Sequence, residues 1–90
     1  MLKIDSKASL KRIPVGTKLA LVNSLMGPCE PKPRTVKTVR SNDLIMATEK
    51  GDSYLGLSTG DKCVPTERGF RICNREGRIC AEYIFLDEAP

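Results

Sequence analysis

The side chains best placed to do chemistry are basic. Arg34, Lys37 and Arg40 recur at three-residue intervals in "RTVKTVR", and Arg71, Arg75 and Arg78 recur near the end of the chain. On an ideally alternating strand Arg34 and Arg40 share one face while Lys37 takes the other, and a bulge would alter that division. A guanidinium fork fits a phosphate and a carboxylate equally well, so this set points to nucleic acid or to an acidic protein surface. The competing reading is the solvated exterior of a small β domain. An exposed ring beside the bases would strengthen the nucleic-acid reading, because unpaired bases stack on aromatic faces. Tyr54 and Tyr83 are the candidates, each with a rival role as a core residue whose hydroxyl reaches water; Phe70 and Phe85 read as core.

Catalytic chemistry finds few residues to work with. The chain has no histidine, hence lacks the commonest general base and metal ligand. Its acids sit mostly beside turns, where solvation explains them. Cys29, Cys63, Cys73 and Cys80 are separated by 33, nine and six residues, unlike the close pairs that hold structural zinc. A cysteine nucleophile with a Lys or acidic helper is the alternative, since a lowered thiol pKa is its physical requirement, but no sequence pattern fixes such a helper against any thiol. "LGLSTGDKC" has glycines and Lys62 but neither the spacing of a phosphate loop nor a Ser or Thr after the lysine. No catalytic residue, metal site or cofactor is therefore expected.

The elements that must position the basic residues are short strands. "GTKLALVNSL" predicts a first strand over about residues 17–23, with apolar side chains on both faces. "MGPCEPKPR", residues 26–34, reads as a proline-stiffened connection. Two alternatives stand beside that reading: part of the protein's own contact surface, or a ligand for a proline-reading partner, although Arg34 lies one position beyond the usual basic residue of such ligands. "RTVKTVRS" is the second strand, with a bulge reconciling Val36 and Val39; "LIMAT" and "SYLGL" follow across the turns "SND" and "EKGD". "STGDKCVPTERG" reads as a longer, irregular loop. "GFRIC" and "RICAEYIF" flank "NREG" as a hairpin, which poses a conflict. A three-residue loop over Arg75–Gly77 pairs Asn74 with Arg78, whereas a two-residue loop pairs Phe70 with Tyr83, Arg71 with Glu82 and Cys73 with Cys80. The first register is expected near the turn, with a bulge restoring the better side-chain match farther down. Whether Cys73 and Cys80 pair is left open. "DSKASLKRIP" permits one short helix capped by Asp5 or Ser6.

Ninety residues make one domain, 1–90, with residues 1–14 as an N-terminal extension. Five or six short strands joined by tight turns imply an all-β fold curled into a small barrel, SH3-like in its long early loop and three closely connected strands, with an OB-like barrel as the alternative. With no Trp, two Phe and two Tyr, its core must be mostly Leu, Ile and Val. The net charge of +4 favours anionic partners, and the bases concentrate in residues 1–18, 31–50 and 62–80. Glu82, Asp87 and Glu88 oppose them at the C-terminus. No apolar run is long enough to span a bilayer and no secretory segment is apparent, so a soluble cytoplasmic protein with reduced thiols and no membrane partner is expected. A non-enzymatic binding module follows. Nucleic acid is its leading partner, and the alternative is a protein-interaction or regulatory accessory module using residues 26–34 and a strand edge.

Overall fold

The computed structural model describes residues 3–86. Ser6 opens a short helix, α1 (Lys7–Leu10), the one helix among the described residues, through a capping box in which Ser6 and Ser9 satisfy each other's backbone N–H groups. Seven strands follow: β1 (Lys18–Ser24), β2 (Gly27–Val39), β3 (Asp43–Thr48), β4 (Gly51–Gly56), β5 (Lys62–Pro65), β6 (Gly69–Cys73) and β7 (Ile79–Phe85). They form one sheet in the order β4-β3-β2-β1-β7-β6-β5, with every pairing antiparallel. The chain thus lays down four strands in sequence and crosses over, so that the last strand returns beside the first.

The sheet is curled into a half-barrel. A flat sheet is about 10 Å thick, yet the smallest extent of this chain is 28 Å. Leu55 on one outer strand and Cys63 on the other belong to the same buried cluster, which a flat sheet would forbid. The concave face supplies Leu19, Val36, Leu44, Met46, Phe70, Ile72, Tyr83 and Phe85. Ile4, Leu10 and Ile13 bury against them, so the segment expected as an extension contributes three of the most deeply enclosed side chains. Phe70 lies between Tyr83 and Phe85, with ring centroids 5.4 and 5.9 Å away.

Two sequence expectations change. Residues 27–34 are not a connection but the first half of β2, so the β1–β2 link shrinks to Leu25 and Met26 between the paired residues Ser24 and Gly27. "STGDKCVPTERG" is likewise not wholly loop, since β5 lies inside it and pairs with β6. The count of strands among the described residues is accordingly seven.

The expected bulge on β2 is present, since the pairing with β3 slips between Val36 and Thr38 and lets both Val36 and Val39 face inward. The terminal hairpin combines both registers. Asn74 N–H donates to Arg78 O at 2.9 Å around a loop closed by Gly77 at φ 84°, and beyond a slip between Ile72 and Cys73, Arg71 opposes Glu82 and Phe70 opposes Tyr83. That slip places Cys73 opposite Ile79, not Cys80, and all four cysteines are free thiols.

Candidate binding surface

The prolines of residues 26–34 have a physical role in β2. Val36 exchanges backbone hydrogen bonds with Gly16 and Thr17, so Val36, Arg34 and Lys32 turn their backbone groups toward β1. Pro31 and Pro33, at alternate positions, turn theirs the other way. There β2 overhangs, because its pairing with β3 begins only at Arg34 opposite Thr48. Proline has no N–H to leave unpaired on such an edge, which closes it to further strands. Pro28 and Pro31 bracket an irregular stretch in which Val22 alone faces Cys29, Glu30 and Pro31.

A trough of about 320 Å³ runs along this overhang, between Pro31–Arg34 and the β3–β4 turn at Thr48–Lys50. It adjoins a second cavity of about 320 Å³ that shares Pro33, Arg34, Thr48 and Glu49 and adds Lys18, Thr35, Ala47 and Leu86. Arg34 is the half-buried anchor of the trough. Its Nε donates to Lys32 O at 3.2 Å, an Nη donates to Ser53 Oγ at 3.3 Å, and its guanidinium lies 5.8 Å from the centre of the Tyr83 ring. Among the described residues neither Arg34, Lys32 nor Lys50 makes an ion pair, and Glu49 is the one acid lining the trough.

The other expected basic residues are arranged differently. Lys37, the extra residue of the β2 bulge, pairs with Asp52 at 3.1 Å. Arg40 grips Asp43 with two hydrogen bonds of 2.6 Å and lies 5.6 Å from the centre of the Tyr54 ring. That contact holds the Asp43 carboxyl below the usual carboxylate range. Arg71 pairs with Glu82 across β6 and β7 at 3.3 Å, and its Nε is buried without a partner among the described residues. Arg75 and Arg78 are exposed in the β6–β7 loop. Because β2 and β7 both run antiparallel to β1, that loop lies at the end of the sheet opposite Arg40. The six bases therefore fall into separate groups, with Arg34 alone in the trough. Asp87 and Glu88 lie outside the described residues.

The two tyrosines part company. Tyr54 is 61% exposed on β4, whereas Tyr83 is 4% exposed and its hydroxyl is pushed to higher pKa by burial, so Tyr83 is a core ring and not a stacking platform. Lys32 and Lys50 were not singled out by the sequence. Reading the prolines as an edge strand was the signal that would have paired them.

A further cavity, about 480 Å³, lies elsewhere, among Asp5–Lys7, Leu57–Thr59 and Asp61–Val64. Cys63 lies there, pushed up to about 11 by burial, with Asp5 and Asp61 adding to the effect. A thiol so held is a poor nucleophile at neutral pH. Among the described residues no group of three His, Cys, Asp or Glu side chains is placed to hold a metal, and no helix is long and apolar enough to cross a membrane. Comparison with known proteins finds no matching family model, no matching curated protein and no matching solved structure.

Proposed function

We propose that the chain is a small non-enzymatic binding module, SH3-like in its curled sheet with an OB-like arrangement as the alternative, that contacts nucleic acid through the trough between Pro31–Arg34 and Thr48–Lys50. The observation that carries this reading is the trough's charge: Lys32, Arg34 and Lys50 face one acid and have no ion-pair partner among the described residues. Cations already neutralised by a neighbouring carboxylate, as at Lys37 and Arg40, have less to gain from a phosphate. Arg34 is held by Ser53 and Lys32 O before any ligand arrives, so little side-chain entropy is lost on binding. The absence of histidine and the raised pKa of the Cys63 thiol support the non-enzymatic half of the proposal. The module works in the cytoplasm, where its thiols stay reduced.

Chemical-shift mapping with a short oligonucleotide tests the location. Backbone resonances of residues 31–34 and 48–50 shift together on titration, while those of the Arg75–Arg78 loop move less. Shifts confined to that loop, or none at low salt, contradict the trough.

A second reading has its own observation. At the tip of the β1–β2 hairpin Met26 is 97% exposed and Leu25 is 54% exposed, an apolar pair that water does not favour. As a protein-interaction or regulatory accessory module, the chain would use this tip, the adjoining β2 edge and its bases against an acidic protein surface. Loss of a recovered protein partner on Met26→Asp, with nucleic-acid affinity unchanged, would favour that reading.

A further inference from the structure

Among the described residues the sheet leaves three stretches of strand backbone without a neighbour, and two are blocked. The overhang of β2 carries Pro31 and Pro33. The outer strand β5 is only four residues long, begins at Lys62 and ends at Pro65. The other outer strand, β4, has six residues, Gly-Asp-Ser-Tyr-Leu-Gly, with neither proline nor lysine.

The free backbone groups of β4 can be assigned. Arg40 N–H donates to Asp43 O, which turns Asp43, Ile45 and Ala47 toward β2. Leu44, Met46 and Thr48 therefore face β4, where they oppose Leu55, Ser53 and Gly51. Asp52, Tyr54 and Gly56, the alternate residues, turn their N–H and C=O groups outward. All three are exposed.

We propose that β4 is a self-pairing edge, at which two copies of this chain join antiparallel about a two-fold axis at Tyr54 and extend the curled sheet across the dimer. An axis there sets Tyr54 against the same residue of the second copy and Asp52 against Gly56, so every outward N–H and C=O of the edge finds a partner. The side chains suit that register. Tyr54, already exposed, gains an aromatic neighbour. Asp52 meets a glycine and no like charge, and on the concave face Ser53 opposes Leu55. An axis at Ser53 leaves Gly56 unpaired, which is why Tyr54 is preferred. A second copy is the occupant because the outward positions 52, 54 and 56 match themselves under the two-fold, while the other free edges are closed to it.

Sedimentation equilibrium across micromolar to millimolar protein, joined to amide hydrogen exchange, tests the proposal. The mass rises with concentration toward twice 9.9 kDa, and the amides of Asp52, Tyr54 and Gly56 become protected in step with it. Tyr54→Pro removes an N–H that β3 does not use, so the folded variant stays at the single-chain mass. Tyr54→Lys sets like charges on the axis and carries the test if the proline variant does not fold. A wild-type chain that remains monomeric at millimolar concentration overturns the proposal, as does a dimer that survives both substitutions or leaves those three amides unprotected.

Discussion

Arg40 shows how one contact redirects a residue that the sequence can only mark as basic. Its spacing from Arg34 suggests a shared role, but the two hydrogen bonds to Asp43 and the Tyr54 ring give it a local one. NMR titration of the Asp43 carboxyl should give a midpoint below the ordinary value of about 3.9, and Arg40→Ala should return it upward. Because the folded value is depressed, the stabilisation from this contact is present above the unfolded value and is lost as pH falls through the folded one. Cys63 has the opposite sign. Its raised folded pKa favours the native state below the unfolded value of about 8.5, and that advantage disappears as pH climbs through about 11. Timed alkylation near neutral pH should leave Cys63 unmodified long after Cys29, Cys73 and Cys80, which are only half-buried; equal rates for all four would contradict its burial. Phe70 and Phe85 were readable as core from their apolar surroundings. The fates of Tyr54 and Tyr83 were not, because alternation gives a face only after the register is known: Tyr83 opposes Phe70 on the concave side, and Tyr54 opposes Ile45 on the other.

At the scale of elements, turn chemistry was the most legible part of the sequence. The "NREG" loop, the β2 bulge and the Ser6 cap each follow from a local rule and each is present. The strands that escaped notice break such rules. The β5 strand is four residues ending in proline, and the first half of β2 holds three prolines that a central strand would refuse but an overhanging edge accepts. Long-range pairing, which no local pattern encodes, decides both. Gly69 is similarly explained only by its neighbour: an added Cβ would lie 2.1 Å from Tyr83 O, where β6 closes on β7. Gly69→Ala should lower stability by about 1–3 kcal/mol through forced displacement of that pair, measured by urea denaturation; an unchanged midpoint would contradict the close approach. Ile4→Ala should cost about 2–5 kcal/mol if the N-terminal segment is integral to the core. A loss near zero in the same experiment would make that segment dispensable.

For the whole molecule, composition and turn spacing were enough to indicate one curled β domain with a basic excess. They were not enough to locate the excess, because Lys32 and Lys50 lie far apart in sequence and meet only through the β2–β3 pairing. In the proposed function these two residues and Arg34 form one anion-binding trough. Fluorescence anisotropy of a labelled single-stranded oligonucleotide, measured over a salt series with the wild type and with the double variant Lys32→Glu and Lys50→Glu, tests it most directly. Each neutralised phosphate contributes about −0.7 to the slope of log affinity against log salt. Three contacts therefore give the wild type a slope of about −2, and the double variant should bind more weakly with a visibly flatter slope. Identical slopes and affinities for the two proteins, or no binding by the wild type at low salt, would contradict the account.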